Sequence, residues 1–569
     1  MSNNMNPLLL LDQAIAFHEK GRLAEAERRY AQALAAAPDN PVLLFNHGTV
    51  LKDLKRYPEA LKSFDRALAI QPEFAAALNN RGNSLRHLKR FDEALASFDR
   101  ALAITPDQAE LLNNRGLVLS DMTHFEDALA SFDRALAIKP DFVEALNNRS
   151  GALSDTKRFE QALASIEKAL LLRPGSAKIW NNRGTAMQNL KRFDEALASF
   201  DRALAIDPEY SAAYCNRGCL FLDDVRLEQA LADFDKSLAL QPDFAECWNN
   251  RGNALRELRR LAEALTSYDM ALVLKPDHVD ALRGRGQILF EMNRIEEGIA
   301  TFREAAARIY GHQESPIAGK EPSVRHKMLH DREQHEYLQS RKNTAASKPG
   351  DRLAGPAVRP GNHVAETSEQ WFTQKPQIAV IDDLLTPEAL EGLRRFCLEE
   401  PVWRSSYHNG YLGAFPEAGF ACPLLGQIAD ELRNTFPGIF RDHTLNYMWG
   451  FKYDSKLSGI AIHADRAAVN VNFWITPDEA NLDPESGGLV IWDVAAPLDW
   501  NFAKFNADND AIRDFLARHG SRPTRVPHRQ NRAVIFDSDL FHETDTIRFK
   551  DGYLNRRINV TMLYGRRGA

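Results

Sequence analysis

A short phrase, ALNNRG, returns every 34 residues with little change, and this period constrains the chain more than any other feature. Its last position falls at Gly48, Gly82, Gly116, Ser150, Gly184, Gly218, Gly252 and Gly286. The same spacing carried backwards reaches Ala14. Twelve residues on stands a small residue, from Ala26 and Ala60 through to Ala264 and Gly298. Four further on comes an aromatic, from Tyr30 and Phe64 to Tyr268 and Phe302, with Ile166 the exception. Each of the first eight units closes on a proline, from Pro38 to Pro276. A fixed period of this length means one supersecondary unit copied many times. Small residues let two amphipathic helices approach, and proline ends the second. Neither helix buries its apolar stripe alone, so neighbouring units must stack.

The period and the small–aromatic–proline positions resemble the tetratricopeptide repeat family over about residues 7–310. The resemblance implies an all-α solenoid of about nine repeats, a first domain spanning 1–310. Two residues before the recurrent glycine stands asparagine in seven successive units: Asn46, Asn80, Asn114, Asn148, Asn182, Asn216 and Asn250. In the family this position faces the concave groove, and the column is similar to that of arrays preceding protein glycosyltransferases. A carboxamide both donates and accepts, so such a column suits an extended peptide backbone. The expected partner is a protein or peptide in the groove. Duplication of a good repeat consensus would also preserve the column.

At 569 residues the chain exceeds one hydrophobic core, and domains after the array are expected. Net charge is −7 with acids and bases interleaved, which argues against nucleic acid as a partner. No apolar stretch approaches the roughly 20 residues of a membrane span, so no membrane partner is expected. The N-terminus lacks the basic region of a signal peptide. The five cysteines are scattered, and Cys215 and Cys219 read as packing; both suit a reducing cytoplasm. Residues 311–342 read as a capping or connecting helix, with Val324, Met328, His335 and Leu338 near one face. His326, His330 and His335 on it read as solvated positions, not as ligands. Residues 343–370, rich in Pro, Gly, Ala and Ser, read as a flexible linker.

From 371 to 569 the texture changes to short β-branched and aromatic runs, with strands expected at 458–463, 468–475, 487–492, 532–537 and 557–564. Gly487-Gly488 supplies a turn, and Thr386-Pro387 opens a helix. Such strands suggest a barrel-like double sheet. Within them stand His463-Ala464-Asp465 and, 79 residues later, His542. Residues i and i+2 of a strand share a face, so His463 and Asp465 can reach one point, and a second histidine completes the set. Two imidazoles and a carboxylate bind iron(II) on one face and leave positions open.

VIDDLLTPEAL, AVIFDSDLFHET and RRINVTMLYG resemble the opening strand and helix, the histidine segment and the last strand of iron(II)/2-oxoglutarate oxygenases, in particular the prolyl-4-hydroxylase-like branch. The resemblance covers about residues 376–566 and implies a double-stranded β-helix (jelly-roll) domain. It implies His463, Asp465 and His542 as iron(II) ligands, 2-oxoglutarate and dioxygen as co-substrates, and ascorbate as an optional reductant. A basic residue on the last strand holds the distal carboxylate in that family. Arg557 fits this place and Asn559 shares its face, but a one-residue register shift would substitute Arg556. The arginine lies 15 residues beyond His542, and residues 493–531 are a long insertion with a helix expected near 508–519. The insertion reads as a lid or wall at the substrate entrance. Tyr447, Trp449 and Tyr453 read as core more than pocket. The expected activity is a cytoplasmic hydroxylase whose solenoid recruits a protein or peptide. The alternatives are a scaffold carrying a relic oxygenase domain, and a hydroxylase of small or carrier-bound metabolites.

Overall fold

The computed structural model describes residues 7–311, 322–341, 348–362, 364–407, 411–440, 442–454 and 459–567. The chain forms two compact units, Met1–Pro242 and Asp243–Ala569. The expected division near residue 310 falls inside the second.

Through the first 310 residues helices follow one another in hairpins, from α1 (Pro7–Glu19) and α2 (Leu23–Ala36) to α17 (Val279–Glu291) and α18 (Ile295–Tyr310). The recurrent glycine permits close packing. A Cβ at Gly116 would lie 2.6 Å from the Phe132 ring, and the neighbouring repeats show the same approach. The one unit with serine at this position, Ser150, is also the one whose residue sixteen on, Ile166, has no ring. The arginine of the repeated phrase ties hairpin to hairpin within the first unit. Arg81 Nε meets Asp65 Oδ1 of the preceding hairpin at 2.7 Å, while its Nη1 donates to Ser97 Oγ of its own. Arg115 and Arg149 repeat this with Asp99 and Ser131, and with Asp133 and Ser165. These pairs are half exposed, so each contributes a fraction of a kcal/mol, about 0.2–1.

The second unit begins with α15 (Ala245–Glu257) and α16 (Leu261–Leu274), followed by α17 and α18. After α19 (Pro322–Ser340) and α20 (Val364–Thr373) come β1 (Ile378–Ile381), α21 (Pro387–Glu399), β2 (Ser405–Ser406), β3 (Tyr411–Ala414), α22 (Pro423–Thr435), α23 (Pro437–Phe440), β4 (Leu445–Tyr453) and β5 (Val469–Trp474). The chain ends in β6 (Leu489–Ala495), α24 (Phe502–Asn506), α25 (Asn509–Arg518), β7 (Pro523–Val526), β8 (Ala533–Asp537), β9 (Leu540–Thr544) and β10 (Arg557–Tyr564). Seven strands make one sheet in the order β1-β8-β5-β10-β4-β3-β2, and three make another in the order β7-β6-β9. Every strand pair is antiparallel. Thr386 Oγ1 accepts from Ala389 N at the start of α21, the cap its sequence announces.

Four expectations change. First, of capping and connecting for α19, the capping part falls to the β-rich region. Phe290, Ile295, Ile299 and Phe302 of that repeat share one core with Trp403, Phe420, Leu424 and Ile428 of the β-rich region. Instead α19 docks on strand and helix ends: Gln334 Nε2 donates to the carbonyls of Leu398 and Glu400, and buried His330 stands 3.2 Å from Lys452 Nζ. His326 faces Asp454 and His335 faces Gln339, so the three histidines do not converge. Second, the described part of the expected linker is not free. Glu431 Oε2 accepts from both Ala357 N and Val358 N at 2.7 Å, Gln427 Oε1 accepts from Leu353 N, and Val358 bridges to Leu385. Those side chains of α22 satisfy the backbone of a segment that has no periodicity of its own. Third, residues 459–463 form no strand; only His463 makes an isolated bridge. Fourth, the insertion contains α25, as expected, but also β7, which pairs with β6. Residues 312–321 and 342–347, Ser458, and the side chains of Val324 and Phe502 lie outside the described residues.

Candidate metal centre

His542 sits in the middle of β9, opposite Ile491 of β6. On its other side runs the segment carrying His463. The two histidines exchange backbone hydrogen bonds, and Ile460 O accepts from Thr544 N. Beyond His463 the chain turns away: Ala464 N donates to Phe505 O, and Asp465 N to Ser538 O. Strand alternation therefore does not bring Asp465 to the histidines, as its i+2 spacing suggests. A turn held by the insertion and by the β8–β9 connection does so.

His463, Asp465 and His542 place one donor atom each within 4.8 Å of the others, the one such cluster of His, Cys, Asp or Glu among the described residues. His542 Nε2 is 3.3 Å from Asp465 Oδ2, and His463 Nε2 is 3.8 Å from Oδ1. His463 Nδ1 faces Ala461 O at 2.8 Å and His542 Nδ1 faces Leu540 O at 3.1 Å. A carbonyl can only accept, so each Nδ1 carries the hydrogen and each Nε2 offers a lone pair to the shared point. Burial, reinforced by His542, pushes His463 down to about 4. Burial alone would raise Asp465, yet its carboxyl is held low, with Asn470 Nδ2 donating to its Oδ2. Neutral imidazoles and an ionised carboxylate are the ligand forms of these groups. The donor set fits iron(II) with open positions.

Arg557 and Asn559 line the same small cavity as His463, Asp465 and His542, with Trp449, Phe451, Tyr453 and Thr561. Arg557 pairs with Tyr453 in the β10–β4 register, which sends Arg556 to the other face. There Arg556 Nη2 meets Glu333 Oε2 of α19 at 2.7 Å. Arg557 is fully buried, lies over the Tyr453 ring at 4.7 Å, donates to the carbonyls of Gly487 and Gly488, and makes no ion pair among the described residues. Burial depresses its guanidinium. A buried cation with no ion-paired carboxylate, and only the more distant charge of Asp545, fits a carboxylate ligand such as the distal end of 2-oxoglutarate. Gly488 has to be glycine, since a Cβ there would meet Val526 O at 1.9 Å.

Trp449 and Tyr453 thus belong to the pocket, whereas the Tyr447 hydroxyl donates to Glu417 Oε2 at 2.7 Å. The sequence reading missed Asn470 and Asn472 of β5. Asn470 Nδ2 donates to Asp465 Oδ2 at 2.6 Å, and Asn472 lines the cavity. The alternation in VNVNFW, polar at every second place of an otherwise apolar run, was the available signal.

The seven column asparagines are half buried. Four of them donate to the asparagine one position earlier in the preceding repeat. Asn114 Nδ2 donates to Asn79 Oδ1 at 3.0 Å, Asn148 to Asn113 at 2.9 Å, Asn182 to Asn147 at 2.8 Å and Asn216 to Asn181 at 3.0 Å. Asn80 Nδ2 donates to Thr49 Oγ1, and Asn250 Oδ1 accepts from Asn249 Nδ2. Asn114, Asn148, Asn182 and Asn216 each keep a second amide hydrogen. Asn113, Asn147 and Asn148 line a concave pocket with Arg86, Arg173 and Lys178.

Comparison with known proteins identifies the array. One tetratricopeptide repeat family model matches residues 45–109 and 113–170, and a second matches residues 177–210 and 245–278. These segments are tetratricopeptide repeats, and neither match extends past residue 278. Among curated proteins none matches. Similar solved structures include a tetratricopeptide repeat protein from Parabacteroides merdae, at 21% identity over 44% of this chain and 98% of that one, TM-score 0.40. YrrB, described as a TPR protein with an unusual peptide-binding site, is 23% identical over 32% of this chain and 95% of its own, TM-score 0.28. The Cut9–Hcn1 assembly gives 16% identity over 51% of this chain and 57% of that chain, TM-score 0.39. No helix among the described residues is long and apolar enough to cross a membrane.

Proposed function

We propose that the protein is an iron(II)/2-oxoglutarate-dependent hydroxylase whose repeats recruit a protein or peptide substrate. One observation carries the reading: two Nε2 atoms and a carboxylate converge within 4.8 Å, in one cavity with a buried arginine that makes no ion pair among the described residues. In this reading residues 371–569 are a double-stranded β-helix whose two antiparallel sheets enclose the centre. His463, Asp465 and His542 hold the metal, Arg557 binds the distal carboxylate of 2-oxoglutarate, and Asn559 orients Arg557. Bound iron(II) would supply dioxygen activation, with 2-oxoglutarate converted to succinate and CO2 and one oxygen atom entering a substrate C–H bond. The chain's own part is to fix the ligands, pair the co-substrate charge and exclude water with Trp449, Phe451 and Tyr453.

Tetratricopeptide repeats support a protein-binding role, and the asparagine column retains hydrogen-bonding capacity for a backbone. The test uses full-length protein loaded anaerobically with iron(II), then given 2-oxoglutarate, air and cell-derived proteins. Succinate release with one oxygen atom added to a captured protein is the expected result. Iron binding without any succinate release would favour the scaffold reading. Turnover confined to small metabolites would favour the third.

A further inference from the structure

Between Arg557 and Asp465 runs an unbroken line of buried hydrogen bonds. Arg557 Nη1 donates to Asn559 Oδ1 at 3.3 Å. Asn559 Nδ2 donates to Asn472 Oδ1 at 2.9 Å, Asn472 Nδ2 to Asn470 Oδ1 at 3.2 Å, and Asn470 Nδ2 to Asp465 Oδ2 at 2.6 Å. All five side chains are buried, Arg557 and Asn470 completely. We infer that Asn559, Asn472 and Asn470 form a polarised relay that makes Arg557 a positioning residue for the carboxylate of Asp465. The inference rests on the metal-centre reading and goes beyond it, because Arg557 then serves the metal site as well as the co-substrate.

Three features argue for a relay over coincidence. The period-2 geometry supplies the path: Asn470 and Asn472 alternate on β5, Arg557, Asn559 and Thr561 alternate on β10, and the two strands are paired. The direction is uniform, since every carboxamide accepts on its arginine side and donates on its aspartate side. That direction is dictated from both ends. A reversed Asn470 would set oxygen against a carboxylate, and a reversed Asn559 would set an NH2 group against a guanidinium. A cation at one end and an anion at the other polarise each bond the same way, and in a buried chain such bonds strengthen one another. Loss of the arginine frees Asn559 to turn, then Asn472, then Asn470, and the rotation of Asp465 is no longer fixed. Events at Arg557 therefore reach the metal ligand without any ligand that touches both.

The test is a double-mutant cycle on full-length protein, with manganese(II) alone as the probe and no co-substrate present. Removing the partner that orients a ligating carboxylate costs about 10- to 100-fold in metal affinity, so Asn470→Ala should fall in that range. Arg557→Met and Asn472→Ala should each weaken manganese(II) binding by about threefold or more, as partners further out in the same support. The double variant should be no weaker than the worse single one. Cobalt(II) absorption bands should shift in both single variants, which a change in global stability alone would not cause. Where Arg557→Met does not fold, as judged by its melting curve, Asn559→Ala takes its place in the cycle. Unchanged manganese(II) affinity in Asn472→Ala and in the arginine-end variant, with binding lost in Asp465→Ala, overturns the relay and leaves the metal centre standing. Fully additive losses overturn it too. Unchanged binding in Asp465→Ala overturns the metal-centre reading itself.

Discussion

His463 and His542 exchange two backbone hydrogen bonds, N to O at 3.0 Å from the first to the second and 2.7 Å in return. Two imidazoles 79 residues apart are thus registered by main chain before any metal arrives. Each ring is further fixed by its own Nδ1 and a carbonyl two residues earlier. In the proposed metal centre this preorganisation would place the cost of assembly on folding rather than on metal binding.

The two neighbouring arginines should separate cleanly. If Arg557 holds the co-substrate as proposed, Arg557→Ala removes a charge-assisted pair, and half-saturation by 2-oxoglutarate should rise by about 10- to 150-fold. Arg556→Ala instead breaks the contact with Glu333 and should lower the melting temperature of the protein, with a much smaller effect on co-substrate demand. Succinate formation against 2-oxoglutarate concentration, beside thermal melts, checks both. Equal effects on half-saturation would contradict the observed register.

The chain between β6 and β7 is a structural support for the loop that carries Asp465. Phe505 O holds Ala464 N, and Phe505, Ile512 and Leu516 pack with Ile462, Ala464 and Phe541. Arg567 adds bonds to the carbonyls of Ala496 and Pro497. A detachable lid would leave metal binding intact when removed. Replacing residues 497–521 with a short glycine–serine link should instead weaken iron(II) binding as well as turnover. Anaerobic titration of the shortened protein decides between them.

Replacing Asn114, Asn148, Asn182 and Asn216 together with Ala removes four bonds between successive repeats. At about 0.5–1.5 kcal/mol each, the array should lose several kcal/mol of stability and melt earlier while keeping its helical content. Partner capture should fall as well. Circular dichroism melts and capture at a temperature where both proteins are folded separate the two effects. An unchanged melt would show that the ladder contributes nothing to stacking.

Acid should destabilise the β-rich region through His528. This imidazole is buried between Trp474 and Phe549, and among the described residues neither ring nitrogen has a hydrogen-bond partner, Asp478 standing 3.9 Å from Nδ1. Burial, then the charges of Arg557 and Arg532, push it down to about 3. The unfolded chain takes up this proton near the ordinary value of 6.5, so stability is whole above that pH and declines as pH falls towards 3. Roughly 2 kcal/mol should be lost between about pH 7 and pH 5 on this account. Denaturant melts at the two pH values should show a smaller difference for His528→Phe than for the parent protein.

The sequence by itself determined what is local. A helical hairpin repeat is written in residues within one 34-residue period, so its helices and their glycine–ring contacts follow without knowledge of the rest. The convergence of His463, Asp465 and His542 was readable from an HxD pair followed by a distant histidine. The choice between Arg557 and Arg556 was not, because one step of register exchanges the faces of a strand and only the Arg557–Tyr453 pairing sets that step. The turn at 464–465, the docking of α19 on Lys452, the anchoring of 348–358 by Glu431 and Gln427, and the asparagine relay all join residues far apart in the chain. Such contacts depend on strand order and on what the neighbouring backbone leaves unsatisfied, and those are properties of the packed structure alone.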